Sequence, residues 1–421
     1  MRVSVSRSEI NGKVAAPPSK SYTVRALMCA AMARGVTEIV RPLSSDDTDV
    51  ASEVLGKVGV RIVPGQTACR VYGGEFQAPP TELFCRESAA TLRFMTALCA
   101  LVPGECRLAM ARTLWRRPIK PLVEALKLLG VNCYTRDARH LVLVHGGRLR
   151  GGVTSLPGDI SSQFVSALLL IAPLADEGMT IRLTTPLESR PYVLMTLECL
   201  EDFGVKVTYS HDLQEFRSLK QAYRSCKYTV EGDWSSASYL LAMGALAGQA
   251  EVSNLSPRSL QADKALVYFV PSMGAPVSLS GNSVTVRKAP LRAIKADLAD
   301  CIDLLPTIAA LAAAAEGTSE LSGIGRARLK ESDRVAALRE ELPKLGVPVV
   351  EEADRLIITG GELHGGTVSS HGDHRIAMSL SLLGLVTDGV TIEGAECVAK
   401  TFPTYWDVLA SLGGQVRTDV R

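Results

Sequence analysis

The chain has 421 residues and a formal net charge of +2. That is length enough for two or three domains, but it lacks the dense positive field that bulk nucleic-acid binding needs. Hydrophobic residues make up 47% and aromatic residues only 5%, so closely packed helices of Ala, Val, Leu and Ile are expected rather than an aromatic stacking surface.

The ten cysteines form no Cys-x-x-Cys pair and no Cys/His ligand spacing. They sit inside apolar runs, as Cys29, Cys99 and Cys199 do, which points to buried, reduced thiols and a cytoplasmic location. The first residues carry neither a hydrophobic leader nor an Arg/Ser-rich one. The longest apolar run, residues 304–315, is too short to span a membrane.

In chain order, one pattern recurs about every 70 residues: a polar tip followed by a run that is apolar on nearly every side. Ser19-Lys20-Ser21 opens the first run, Glu87-Ser88-Ala89 the second and Ser161-Ser162-Gln163 the third. Asp233-Trp234-Ser235, Asp300-Cys301-Ile302-Asp303 and Asp373-His374-Arg375 open the next three. Ser and Asp accept hydrogen bonds from the first-turn amides, so each run starts as a capped helix. A helix that is hydrophobic all round is a buried helix. Its exposed N-terminal tip carries free N–H groups and the positive end of the dipole, which suits an anion.

Each run is followed by a short β-rich piece and a second, amphipathic helix ending at a glycine. Gly59, Gly130, Gly204, Gly346 and Gly413 mark these ends, where the left-handed conformation caps the last carbonyls. The predicted repeat is strand, buried helix, strand, amphipathic helix, strand, strand. The fourth copy is the weakest, because Pro271 falls inside its expected second helix.

Cations collect at these tips. Lys20 and Arg25 flank the first. Pro118 suits the first turn of the second helix in its unit and would place Arg117 at that tip, where a cation opposes the dipole and implies a bound anion. Lys330 and Arg334 lie four apart on a predicted helix start and repel, with Glu331 and Asp333 moderating them. His371, His374, Arg375 and Lys400 add further charge. The two histidines lack a third strong ligand, so a metal site is not expected. Ser161, Ser162, Gln163, Ser189 and Tyr192 supply hydroxyls and amides for a neutral phosphate cradle. The economical reading brings these tips to one cleft that holds a small molecule with two or more acidic groups.

Taken jointly, Pro18-Ser19-Lys20-Ser21 with Arg25, Ser161-Ser162-Gln163, Ser189-Arg190-Pro191-Tyr192, Gly232-Asp233-Trp234-Ser235-Ser236, Lys330-Glu331-Ser332-Asp333-Arg334, Asp373-His374-Arg375 and Lys400-Thr401-Phe402-Pro403 resemble the 5-enolpyruvylshikimate-3-phosphate synthase family. The resemblance runs from about residue 16 onward, in the family's order and spacing. It implies an α/β fold, the two-domain inside-out barrel of the enolpyruvyl transferases, with six βαβαββ repeats around buried helices, three per domain. Residues 20–229 would form one domain, and residues 1–19 with 230–421 the other, with the active site in the interdomain cleft. It also implies transfer of the enolpyruvyl group of phosphoenolpyruvate to the 5-hydroxyl of shikimate 3-phosphate, on the route to chorismate and the aromatic amino acids. No cofactor, metal, nucleic acid or membrane is implied, and a monomer is expected.

The roles carried over by resemblance are as follows. Ser161, Ser162 and Ser189 would hold the shikimate phosphate, Ser21 and Arg25 its carboxylate, and Gln163, Asp303 and Lys330 its hydroxyls. Lys20 would reach both substrates, and Arg117, Gln163, Arg334, Arg375, Lys400 and nearby His374 would surround phosphoenolpyruvate. Asp303 would be the base for the 5-hydroxyl, and Glu331 the acid for the enol methylene, with Lys20 assisting. The family's glycine falls on Ala89, which implies weak inhibition by glyphosate. Phe94 replaces a proline, and Arg326 stands where some members have a substrate-contacting asparagine.

The sister family, which transfers enolpyruvate to UDP-N-acetylglucosamine, usually has Lys-Asn at Lys20-Ser21 and a reactive cysteine before the counterpart of Arg117. Residues 107–117 contain no cysteine. A non-catalytic repeat scaffold would show a broad exposed concave face and would have no use for cations at buried tips.

Overall fold

The repeat is visible first in the strands. A computed structural model describes residues 1–419, and they form six four-stranded sheets. Each sheet has one parallel pair and two antiparallel pairs in the same order. In one of them, Leu83–Phe84 runs parallel to Gly104–Ala109. The latter pairs antiparallel with Leu141–Gly146, and Asn132–Arg136 closes the edge. A parallel pair needs a crossover, and the buried helix supplies it.

Two strands are exchanged along the chain. Ile10–Ala15 precedes the first buried helix but pairs with Gly248–Ser253, Ile10 opposite Gly248. Lys227–Thr229 precedes the fourth buried helix but pairs with Gly35–Val40, Lys227 opposite Glu38. Arg2–Ser6 lies between Val390–Glu393 and Gln415–Asp419 and completes the last sheet. Contacts accordingly divide the chain into two units: Pro18–Val230, and Met1–Pro17 together with the chain from Glu231 onward.

The apolar runs form helices whose burial leaves little but their tips. In Lys20–Met32 all residues except Lys20 and Ser21 are buried. The exceptions are Ala90 in Ala89–Leu98, Gln163 in Ser162–Ile171 and Ser235 in Trp234–Ala247. Leu305–Ala313 and His374–Gly384 are buried throughout. Each Leu, Ile or Phe so placed contributes about 1.5–3 kcal/mol. The chain can therefore afford helix starts that carry charge.

The second helices have one solvated face, as in Asp46–Lys57 and Lys120–Leu128. They end as expected: Gly130 has φ 81° and Gly346 φ 88°. The fourth copy departs from the pattern as its proline suggests, with a short Leu266–Ser272 helix that contains Pro271. All ten cysteines are free, and eight are buried. Among the described residues, no helix is long and apolar enough to cross a membrane.

Candidate active site

In the Pro18–Val230 unit, three buried-helix tips carry the polar groups. Ser19 caps Lys20–Met32, which sets Lys20 in the first turn, where its ammonium meets Asp47 Oδ2 at 3.0 Å. Asp47 is itself buried in the first turn of Asp46–Lys57. One helix turn on, the buried Arg25 donates to Thr196 Oγ1 at 2.8 Å, to the Ser21 carbonyl at 2.9 Å and to the Tyr192 carbonyl at 3.1 Å. Its guanidinium lies over the Phe94 ring, with the guanidinium carbon 5.4 Å from the ring centroid. Phe94 thus packs on a cation, which a proline could not do in the same way.

Ser161 caps Ser162–Ile171 and accepts from the Gln163 amide. The cradle is not neutral, contrary to expectation: Arg93 Nη1 donates to Ser161 Oγ at 3.1 Å and to Gln163 Oε1 at 2.7 Å. The sequence reading gave Arg93 no role. Its signal was a lone arginine in an apolar helix, which burial makes expensive unless it serves a partner. Ser189 is buried at the cap of Arg190–Asp202 with φ 51°, a left-handed conformation that a non-glycine residue adopts at a cost. Ala89 begins its helix behind the Ser88 cap.

Arg117 is placed differently from the expectation. The following helix starts at Lys120, with Ile119 as cap and Pro121 in the first turn. Arg117 and Pro118 lie in the connection ahead of it, so the dipole argument does not apply to Arg117. Two prolines stand three apart, and the later one occupies the position that spares an amide.

In the other unit, Asp303 is the meeting point. It lies in a one-turn helix, Ile302–Leu304, leading into Leu305–Ala313. Lys330 Nζ is 3.2 Å and Arg334 Nη1 2.8 Å from its Oδ1, and Arg375 Nη2 is 3.5 Å from its Oδ2. Burial opposes charge on Asp303, but Lys330, Arg375 and Arg334 prevail and hold its carboxyl well below the ordinary value.

Arg334 is 1% exposed and divides its guanidinium among three acids. Besides Asp303, it meets Glu331 Oε2 at 2.7 Å and Asp373 Oδ2 at 2.8 Å. Burial alone would lower its proton affinity, and the three carboxylates raise it instead. Contrary to the expectation from their spacing, Lys330 and Arg334 do not share a helix face. Asp333 caps the helix, which begins at Arg334, so Lys330 lies in the preceding turn. The two cations converge on one acid rather than repelling.

Asp373 caps His374–Gly384 through the Arg375 amide at 2.9 Å. His374 is buried, with Nδ1 3.7 Å from Asp373 Oδ1. His371 turns elsewhere, to Glu341 Oε1 at 2.8 Å. Glu341 is already engaged by Lys344 and the Ser369 amide. Lys400 is buried at the last position of a short Ala395–Lys400 helix. It ends that helix rather than heading the next, which begins at Tyr405, and its charge suits a helix C-terminus. Arg326 donates to the Ala299 carbonyl.

Within each unit, then, hydroxyls, cations and carboxylates gather at the starts of buried helices. An independent comparison agrees. A family model described as EPSP synthase (3-phosphoshikimate 1-carboxyvinyltransferase) matches residues 5–409. The chain is 48% identical over 422 residues to a 3-phosphoshikimate 1-carboxyvinyltransferase of Dehalococcoides mccartyi, covering 100% of both. It is 41% identical over 420 residues to the enzyme of that name from Methanothermobacter thermautotrophicus, covering 98% and 99%. Among solved structures it resembles an EPSP synthase from Acinetobacter baumannii, with a TM-score of 0.83 at 24% identity over 99% of this chain and 100% of that one. It also resembles the enolpyruvyl transferase NikO from Streptomyces tendae, at 0.81 and 18% over 100% and 99%. These two likenesses establish the two-domain enolpyruvyl transferase fold. With the family model spanning nearly the whole chain, the protein belongs to the EPSP synthase (3-phosphoshikimate 1-carboxyvinyltransferase) family.

Proposed function

We propose that the helix-tip groups of both units act on the same pair of substrates and carry the family's reaction. As a member of that family, the chain transfers the enolpyruvyl group of phosphoenolpyruvate to the 5-hydroxyl of shikimate 3-phosphate and releases phosphate. Ser161, Ser162 and Ser189 take the shikimate phosphate, and Ser21 and Arg25 its carboxylate. Gln163, Asp303 and Lys330 take its hydroxyls. Lys20, Arg117, Arg334, Arg375, His374 and Lys400 receive phosphoenolpyruvate around Ala89 and Gln163.

The reaction is an addition followed by an elimination. The 5-hydroxyl oxygen bonds to C2 of phosphoenolpyruvate and gives its proton to Asp303. C3 gains a proton from Glu331 and becomes a methyl group. Phosphate then leaves with the proton held by Asp303, and one methyl proton returns to Glu331, which restores the C2–C3 double bond and gives the enol ether. The cations stabilise the charge that accumulates at C2 substituents and phosphate.

The single observation that best supports this reading is Asp303 beneath Lys330, Arg334 and Arg375. By themselves these cations make it a weak base. Substrate anions paired with them offset their field, so proton affinity returns to Asp303 when the acceptor and donor are in place. Glu331 receives only a share of Arg334, since that guanidinium is divided among three acids.

The test is phosphate release from phosphoenolpyruvate with shikimate 3-phosphate or UDP-N-acetylglucosamine as acceptor. Turnover is expected with the first alone; turnover only with the second assigns the sister reaction, and turnover with neither removes the reading.

A further inference from the structure

Asp263 is a buried carboxylic acid that the reaction above does not use. It lies in a one-turn helix, Ala262–Ala265, and is 1% exposed. The segment is laced to the start of Trp234–Ala247. Gln261 Oε1 accepts from the Trp234 amide at 3.0 Å, and Gln261 Nε2 donates to the Gly232 carbonyl at 2.7 Å. Asp263 Oδ2 accepts from Ser235 Oγ and lies 4.0 Å from Arg375 Nη1. Its other oxygen, Oδ1, is buried and accepts no hydrogen bond. A carboxyl so placed costs free energy, and packing alone would favour an apolar side chain.

Its neighbours set its charge. Arg375 approaches from the His374–Gly384 helix, Asp303 from the start of Leu305–Ala313, Cys301 just before it, and Asp233, Ser235 and Tyr239 from the Trp234–Ala247 end. Tyr239 OH lies 3.5 Å from the same Arg375 Nη1. Arg375 is thus approached from one side by Asp263 and Tyr239, and from another by Asp303.

We propose that Asp263 is a positioning residue for Arg375, holding one end of the guanidinium so that the other is presented to the anionic donor. This rests on the assignment of Arg375 to phosphoenolpyruvate above. Burial pushes the Asp263 carboxyl up to about 7, with Asp303 and Asp233 in the same direction, against Arg375 and Ser235. An anion paired with Arg375 cancels part of the charge that favours ionised Asp263. Donor binding therefore draws a proton onto Asp263, and the neutral acid still offers an oxygen to the guanidinium. Above neutrality that proton must be supplied from water, which weakens donor binding.

Three variants test this, with KM for each substrate and kcat measured at pH 6 and pH 8.5. Asp263→Ala is expected to raise KM for phosphoenolpyruvate about tenfold at pH 6, with kcat changed less than about threefold and KM for shikimate 3-phosphate unmoved. Asp263→Asn imitates the protonated acid. It is expected to match the wild type at pH 6 within about twofold, and to have KM about threefold or more below it at pH 8.5. The ratio of wild type to Asp263→Asn removes the substrate's own ionisation.

Wild-type KM in Asp263→Ala overturns the proposal, as does an Asp263→Asn ratio that is the same at both pH values. The second result still decides the matter if the alanine variant does not fold. Arg375→Lys is the control. If it raises KM for the donor and the Asp263 variants do not behave as stated, the inference alone falls. If it keeps wild-type KM, the assignment of Arg375 falls and the inference with it.

Discussion

A single arginine shows how the acidic site is balanced. Arg334 holds Asp303, Glu331 and Asp373 at 2.7–2.8 Å, and burying such a cation is tolerated only because its partners surround it. Asp303 in turn has its carboxyl held below the ordinary value, because three cations outweigh burial. A carboxyl depressed in the folded state stabilises it fully above the unfolded-chain value, about 4, and that contribution is lost as pH falls through the lower folded value. The melting temperature of Asp303→Asn should therefore lie below the wild type by a constant gap from about pH 7 to about pH 5, closing below about pH 4. A gap that widens in acid contradicts the ion-pair account. Lys20→Met and Glu331→Gln should each lower kcat by about 10²–10⁴ in protein that still folds. Ala89→Gly should strengthen glyphosate inhibition, and equal potency for both forms refutes the inferred role of that methyl group. The cations and serines were legible in the sequence because buried helix tips leave charge without another use. Arg93 and Asp47 were not, since their value lies in contacts made across helices: Arg93 to Ser161 and Gln163, Asp47 to Lys20.

At the scale of the element, caps do two tasks. Asp373 accepts from the Arg375 amide, starting a fully buried helix, and from Ser332 Oγ, and it pairs with Arg334. Asp373→Ala should cost about 3–5 kcal/mol by leaving Arg334 short of a partner, with the cap adding about 1 kcal/mol. Asp373→Asn keeps the cap and should fall between. Urea midpoints measure both, and wild-type stability in Asp373→Asn would show that the cap, not the ion pair, dominates. Helices were legible through apolar runs, caps and terminal glycines. The connections were not: Arg117 and Lys400 belong to segments where proline spacing permits two helix starts, or where a short helix ends unannounced.

For the whole molecule, the exchanged strands matter most. Ile10–Ala15 and Arg2–Ser6 complete sheets with strands more than two hundred residues away. No local pattern announces this, because the partners lie so far apart along the chain. Arg2 lies opposite Asp419 in an antiparallel pair, so a short hairpin loop can join the C-terminal strand to the N-terminal one. A chain running from Glu231 through such a loop to Pro17 should fold alone, while the same piece without residues 1–17 should not, as circular dichroism and proteolysis would report. The broader claim is that both units serve one acceptor and one donor. Calorimetric binding of shikimate 3-phosphate to the wild type, Ser162→Ala and Lys330→Met tests it most directly. Each variant, one in each unit, should bind about tenfold or more weakly, as loss of a charge-assisted hydrogen bond demands; wild-type affinity in either would remove that unit from the acceptor's binding and contradict the account.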